Sequence, residues 1–313
     1  MSPAPRRPPA PSSAERVPVR KTYKLYLGGA FPRSESGRSY AVYAAGSPGR
    51  RPRLIANAAQ GSRKDVRNAV TAAKAAANGW AGATAYNRGQ VLYRVAEVME
   101  GRRDQLAQAV ADAEGGTAAA AQDAVSAAID RWVWWAGWSD KYAQVLGGLN
   151  PVAGPYFDIS APEPSGVIGV LAPQASSLLG LVSVIAPVVV SGNTCVVLAS
   201  TDRPAPAIDL AECLATSDVP AGVVNILTGS TAEMAPWLAS HQDVAGLDLT
   251  GAAGAQDVDW ADLEVAAADT VKRVLIPAGT DAAAIEEDFR PTPGLTRLTA
   301  FLETKTVWHP KGT

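Results

Sequence analysis

The sequence predicts an α/β fold built on a parallel sheet with helices on both faces. Three observations carry this prediction. From residue 165 onward strand-like runs (167–171, 195–199, 223–227, 246–249) alternate with helical stretches (176–190, 205–216, 231–240). No charged residue occurs between Glu163 and Asp202, so the strands in that stretch are buried on both faces, as in a parallel sheet. Upstream, residues 62–146 carry apolar positions at helical spacing.

In chain order, residues 1–20 (MSPAPRRPPAPSSAERVPVR) read as a solvated Pro/Arg-rich tail with too little apolar surface to order itself and no apolar h-region of a signal peptide. Residues 21–149 form an N-terminal unit of strands and helices. Within it, Thr22–Ala30 alternates as a strand and turns at Gly28-Gly29, with Arg38–Tyr43 as the expected hairpin partner. Ser62 is a helix N-cap with Asp65 at the third helical position, ahead of alanine-rich sequence to Trp80. Asn87–Glu114 follows as a second helix. Gln122–Leu146 is a third, and it carries four of the eight tryptophans within 132–138. No Lys/Arg-rich groove accompanies these aromatic residues, so they read as a helix buried on more than one side rather than a base-stacking surface.

Residues 150–164 (NPVAGPYFDISAPEP) form an extended arm, and 165–276 the α/β core, closing with a strand at Val271–Ile276. Residues 277–296 are acidic and Pro-containing, a linker. Residues 297–313 return to β-prone sequence, RLTAFLETKTVWH, at the end.

Composition narrows the function classes. A net charge of −2 gives no drive toward nucleic acid or anionic lipid. Pro173, Gly180, Pro187 and Gly192 cut the uncharged stretch into pieces too short to span a bilayer. Two cysteines, Cys195 and Cys213, build no disulfide framework and fit a reducing cytoplasm. His241 and His309 are the only histidines, which argues against a histidine-based metal site.

Four stretches in order resemble the aldehyde dehydrogenase superfamily: Lys24–Arg38, Trp135–Tyr142 (WAGWSDKY), Glu163–Pro173 (EPSGVIGVLAP), and Pro220–Thr228 followed by Ala239–Gly251. The resemblance implies a Rossmann-like NAD(P) domain, an oligomerisation hairpin near 150–164, and a C-terminal strand that pairs with a neighbour's hairpin. The segment 301–310 (FLETKTVWHP) is similar to that last strand. In the family it follows a second domain carrying the nucleophilic cysteine; here it follows the strand at 271–276 after a short linker.

Position by position, the resemblance implies lost chemistry. Cys195 lies in a strand and Cys213 in a helix pattern, with no neighbouring histidine or lysine to lower either pKa. Ala175, after Pro173-Gln174, stands where the family has its oxyanion-binding asparagine, a donor whose loss costs about 10²–10³ in rate. Pro277 stands at the position of the carboxylate base. Leu198 and Thr201 replace the lysine and glutamate that hold the adenosine ribose. Pro173, Gln174, Leu198, Ser200, Thr250 and Gly251 are then expected to form a degenerate cofactor pocket that binds no NAD or NADP unless its turn amides still favour phosphate; Gly251 has the alternative reading of a residue that only permits a tight turn.

The expectation is a catalytically inactive, aldehyde dehydrogenase-like structural or regulatory subunit in the cytoplasm. It would assemble with a catalytic aldehyde dehydrogenase or with itself through 150–164 and 301–309, without nucleic acid or membrane as partner. The alternatives are an NAD(P)-dependent aldehyde oxidoreductase with a rearranged site, and a small-molecule or nucleotide sensor using the crevice at the carboxyl ends of the strands.

Overall fold

A computed structural model describes residues 19–46, 52–277 and 287–311. Residues 1–18 of the expected N-terminal tail and 278–286 of the expected linker lie outside them.

The N-terminal unit opens on β1 (Thr22–Tyr23), β2 (Ser39–Tyr43) and β3 (Leu54–Ala59), a small sheet in the order β1-β3-β2. This corrects the expected hairpin. The partner of β2 is β3, antiparallel, and β1 joins β3 in parallel. Residues 25–30 instead turn back on themselves, with Leu27 bridging Ala30 and Tyr26 bridging Ile226 of the large sheet. β3 escapes a reading by alternation because LIANAA has little apolar contrast between its two faces.

Five helices follow. α1 (Arg63–Ala81) begins in a complete capping box between Ser62 and Asp65, as the sequence predicts. The expected helix 87–114 is two, α2 (Ala85–Gly101) and α3 (Arg103–Glu114), because Arg102 at φ −115°, ψ 16° interrupts the helical path. The expected helix 122–146 starts earlier, at the Thr117 cap of α4 (Ala118–Ala136), and breaks at Gly137 before the short α5 (Tyr142–Leu146). Trp132 and Trp135 are buried, whereas Trp134 is exposed.

The arm is β4 (Gly148–Asn150) and β5 (Tyr156–Pro164). The core then alternates β6 (Val167–Leu171), α6 (Leu179–Val190), β7 (Thr194–Leu198), α7 (Ala205–Leu214), β8 (Val224–Leu227), α8 (Thr231–Ala239), β9 (Val244–Asp248), α9 (Trp260–Ala268) and β10 (Arg273–Leu275). The sheet runs in the order β10-β9-β6-β7-β8 and every pairing in it is parallel. The predicted α/β class and parallel sheet are as observed. The crossover helix α9 was not predicted; its sequence, WADLEVAAA, is apolar nearly throughout and carries little helical periodicity.

Strand parity divides the core. Ile168, Val170, Cys195, Val197 and Ile226 face one cluster with α2, α4, α6 and α7. Val167, Leu171, Val196, Leu198 and Leu227 face the other with α1, α8 and α9. Alternating faces buried on both sides explain the uncharged run in the sequence. Gly169 breaks the row so that Leu238 of α8 and Leu247 of β9 close over β6, where a Cβ would meet both at 2.8 Å.

The chain ends in α10 (Thr296–Ala300) and β11 (Leu302–Pro310). β11 runs antiparallel to β5 of its own chain through nine register pairs, from Leu302 opposite Pro164 to Pro310 opposite Tyr156. The resemblance implies the same strand pairing made with a neighbour's hairpin; here it closes within one chain. The part of the linker that is described, 287–296, is docked rather than free: Phe289 is buried against Gly180, and Arg131 Nη2 donates to the carbonyls of Phe289 (2.6 Å) and Pro291 (3.1 Å).

Candidate functional site

The carboxyl ends of parallel strands are where open α/β sheets leave a crevice. Here the crevice is a cleft of about 320 Å³ above β6, β7 and β8, lined by Gln174, Ala175, Ser200, Thr201, Asp202 and Arg203 on one wall. Ser230, Gly254, Gln256 and Asp257 belong to the opposite wall.

The turn after β6 is held by its own polar groups. Gln174 Nε2 donates to the Ala172 carbonyl at 2.7 Å, and its Oε1 accepts from the Thr201 amide at 3.1 Å. The Gln174 carbonyl accepts from Ser200 Oγ at 3.0 Å, and the Ala175 carbonyl accepts from Arg203 Nη1. One glutamine therefore clips the end of β6 to the end of β7. Ser177 donates through amide and hydroxyl to Glu114 of α3 at 2.6 and 2.7 Å, fixing the entry into α6. At the far wall Ser230 caps α8 by accepting from the Glu233 amide, and Thr201 Oγ1 accepts from the Thr231 amide.

The structure separates the six expected pocket residues. Gln174 and Ser200 line the cleft. Pro173 is buried beneath it. Leu198 is a correction: it is wholly buried in the cluster facing α1 and α8, and so presents no apolar wall to a ligand. Its strand parity, opposite to that of Val197, determines this. Thr250 and Gly251 begin a single-turn 3-10 helix (Thr250–Gly254) and are buried as well. A Cβ on Gly251 would overlap the Ala172 and Leu171 carbonyls, so a glycine here serves close packing of this turn onto the end of β6. Ala175 lines the cleft, and Pro277 is buried at the end of the β10 segment.

Asp202 and Asp257 face the cleft against one guanidinium, Arg203, whose Nη1 is already engaged by the Ala175 carbonyl. A pyrophosphate carries two negative charges and needs donors or cations free to meet them.

Both thiols lie in the core. Burial pushes Cys195 up to about 12 and Cys213 up to about 11, so neither forms a thiolate near neutrality. Among the described residues, no group of three or more His, Cys, Asp or Glu could hold a metal, and no helix is long and apolar enough to cross a membrane.

An ionic cluster around Asp248, at the end of β9, was not anticipated. Asp248, wholly buried at the end of β9, accepts from Arg297 Nε at 2.7 Å and from the Thr250 amide at 3.0 Å. Arg297 Nη2 donates to Thr250 Oγ1 and to Glu287 Oε2, both at 2.9 Å. Burial alone would lower the Arg297 pKa, but the Asp248 and Glu287 carboxylates outweigh it and hold the pKa above its ordinary value. The sequence did carry a signal: Asp248 is a lone carboxylate in an otherwise apolar strand and requires a counter-charge.

Comparison with known proteins places this geometry. A family profile described as "Aldehyde dehydrogenase family" matches residues 37–288. The chain is 31% identical to mouse cytosolic 10-formyltetrahydrofolate dehydrogenase over 276 residues, covering 85% of the chain and 29% of that protein. It is 34% identical to hydroxyisobutyraldehyde dehydrogenase of Mycolicibacterium austroafricanum, covering 72% and 44%. Among solved structures, an aldehyde dehydrogenase C mutant of Pseudomonas syringae, complexed with NAD+ and octanal, aligns with a TM-score of 0.70 at 29% identity, covering 80% of this chain and 49% of that one. An aldehyde dehydrogenase from Bacillus cereus aligns with a TM-score of 0.73 at 24% identity, a likeness of fold. The chain spans about half the length, or less, of the relatives it matches.

Proposed function

The chain belongs to the aldehyde dehydrogenase family, and from that premise we propose that it is a non-catalytic member, a structural or regulatory subunit that assembles with a catalytic aldehyde dehydrogenase or with a second copy of itself. The observation that carries this reading is a contrast within the one chain: an apolar row on the arm is exposed, while both thiols are buried in the core.

Register defines the face. Leu149 of β4 and Val307 of β11 both stand opposite Ile159 of β5, so the three share one side of the arm sheet, and they are 64%, 50% and 47% exposed. Phe157, two residues before Ile159, extends the same side and is also exposed. A contiguous apolar row of this kind marks an interaction surface on a soluble domain. The register also leaves β4 and β11 as the two edges of a three-stranded sheet, open to further pairing.

On the chemical side, aldehyde oxidation in this family proceeds through a thiolate, an oxyanion donor and a base. The two cysteines are protonated in the core, Ala175 has no side-chain donor for an oxyanion, and Pro277 has no proton acceptor on its side chain. The absence of disulfides between the two free thiols and the cytosolic relatives fit a subunit working in the cytoplasm.

The test is co-expression with a full-length aldehyde dehydrogenase, then native mass measurement and an aldehyde assay with NAD and NADP. Expected are a complex or a homo-oligomer and no turnover by the purified chain. A dilute monomer that ignores the enzyme, or sustained aldehyde oxidation by this chain alone, would overturn the reading.

A second reading rests on the cleft itself. Hydroxyls of Ser200 and Thr201 beside Asp202, Gln256 and Asp257 suit a small neutral or cationic polar ligand, and the chain would then act as a sensor. Mass analysis of small molecules released from the purified protein distinguishes it: a stoichiometric ligand lost on Asp257→Ala supports the sensor, and an empty extract removes it.

A further inference from the structure

A groove of about 840 Å³ lies beside β2, an edge strand, between the end of α3 and the loop after β7. Tyr40, Tyr43 and Pro52 line it, together with Glu114, Asp202 and Arg203. Tyr43 is 49% exposed, and Tyr40 Oη donates to the Thr201 carbonyl at 3.0 Å, which holds β2 against that loop. Asp202 is exposed, while the Arg203 guanidinium is engaged by the Ala175 carbonyl, so the groove presents acidic charge beside aromatic residues. Aromatic-lined grooves take proline-rich segments in polyproline II form, and carboxylates beside them select arginine.

The chain carries such a segment. Pro5, Pro8 and Pro11 recur at every third residue, and Ala14 and Val17 continue the series. Polyproline II has three residues per turn, which puts these five on one face. Arg6, Arg7 and Arg16 fall on the other two faces, against the single carboxylate of Glu15. Prolines offer carbonyls and no N–H, so the segment needs donors, and the Tyr43 hydroxyl is one among the lining residues. The point of attachment is close. Thr22 of β1 and Ala41 of β2 pair with Asn57 of β3 from opposite sides, two strand spacings or about 10 Å apart. β1 runs parallel to β3, so the residues before it leave the sheet at the end where Leu54 pairs with Tyr43. From Pro11 to Val19 a polyproline II path covers about 25 Å, enough to reach the groove of the same chain.

We propose that residues 5–17 dock in this groove in polyproline II form, with the Pro5, Pro8 and Pro11 face against Tyr40, Tyr43 and Pro52, and Arg6 and Arg7 toward Asp202 and Glu114. A segment with too little apolar surface to order itself takes its order from a preformed groove, and polyproline II, already a major conformer of such chains, keeps the entropy lost small. The occupant is the chain's own segment and not that of a second copy, because the tether holds it near the groove at an effective concentration in the millimolar range. Thr201, Asp202 and Arg203 line the cleft as well, so the docked segment borders the mouth of the cleft. The inference does not rest on the non-catalytic reading.

The test is limited trypsin digestion of the full chain, with the rate of cleavage after Arg16 followed by mass spectrometry. At an effective concentration of about 1 mM and a Kd of about 0.1 mM the segment is undocked about a tenth of the time, which slows cleavage about tenfold. The parent is therefore expected to be cut more slowly, by that factor, than Pro5→Ser/Pro8→Ser/Pro11→Ser, in which the cleavage site is unchanged. Tyr43→Ala should lose the same protection while melting close to the parent, since Tyr43 is half exposed. The triple proline variant alters no residue of the described fold and decides the matter should Tyr43→Ala destabilise the chain. Arg6→Glu/Arg7→Glu should also lose the protection, and adding Asp202→Lys should restore part of it. Protection should be unchanged on dilution. Equal cleavage of the parent and the proline variant, full protection retained in a folded Tyr43→Ala, or protection that falls on dilution, which would mean that a second copy fills the groove, overturns the proposal.

Discussion

Arg297 reaches back from α10 to Asp248 at the end of β9, with Nε 2.7 Å from Oδ2, the carboxylate wholly buried and the guanidinium side chain 13% exposed. The two residues are 49 positions apart. The pair joins the segment that follows residue 286 to the carboxyl edge of the parallel sheet. Phe301 fastens the same segment one turn later: its ring closes over Gly246, and its carbonyl accepts from Asn193 Nδ2 at 2.8 Å and from Ser165 Oγ at 3.1 Å. The terminal strand is thus anchored to the core before it reaches the arm.

Arg297→Met leaves Asp248 buried without its counter-charge, and breaking a pair of this type costs about 3–5 kcal/mol. Urea denaturation should show a fall in the free energy of unfolding of that size, read as a lower midpoint at unchanged slope. Asp248→Asn combined with Arg297→Met should recover a substantial part, because no unpaired charge then remains. A double variant no more stable than Arg297→Met alone would show that the arginine acts through packing instead of charge.

Gly251→Ala tests the packing of the turn after β9. The added Cβ meets backbone carbonyls of Leu171 and Ala172, which cannot swing aside as a side chain would. Overpacking against such atoms should cost about 3 kcal/mol or more. Gly294→Ala, where nothing lies within 4 Å of the new Cβ, is the matched control and should melt as the parent chain does.

These two sites also show what a linear reading reaches. The parallel sheet was legible because both faces are buried, which strips charges from a long continuous stretch. The Ser62 cap and the arm were legible from local chemistry. The Leu198 error has the same source as the success: in a strand buried on both sides, sequence alone does not tell which parity faces the ligand crevice and which faces a helix layer. β3 and α9 were missed because LIANAA and WADLEVAAA lack contrast between an apolar and a polar face. Arg297 was unreadable for a different reason. Its partner is set by the path of the chain after the sheet, and no local pattern near residue 297 encodes that.

Alkaline pH should destabilise the fold through its thiols. Burial raises Cys195 to about 12 and Cys213 to about 11 from an ordinary value of 9.0. The folded state keeps protons that the unfolded state releases, so this contribution is complete below pH 9 and is lost as pH rises toward 11 and 12. The slope is about 1.4 kcal/mol per pH unit for each thiol across its window. Burial and nearby carboxylates push Tyr23 up as well, and burial pushes Tyr40 up, which adds to the slope in the same direction. Denaturation series between pH 8 and 11 should be steeper for the parent than for Cys195→Ala/Cys213→Ala. Parallel slopes would remove the thiols from the account. With a disulfide-exchange reagent at pH 8, neither thiol should react until the chain unfolds.

The arm face gives the most direct check on assembly. Ile159 sits at the centre of the row, with Leu149 and Val307 opposite it on the two flanking strands. A carboxylate placed there is solvated in the isolated chain, since Ile159 is already about half exposed, so stability should change by no more than about 0.5 kcal/mol. In an assembly the same carboxylate would be desolvated within an apolar contact, while Lys305 on that side is already paired with Glu163 and the Lys311 ammonium lies over the Phe157 ring. Ile159→Asp should therefore leave the melting temperature close to that of the parent chain and lower the sedimentation-derived mass to that of a monomer. The conservative Ile159→Val should keep the assembled mass. If Ile159→Asp sediments as the parent does, association runs through another surface, and the open edges of β4 and β11 are the next place to substitute.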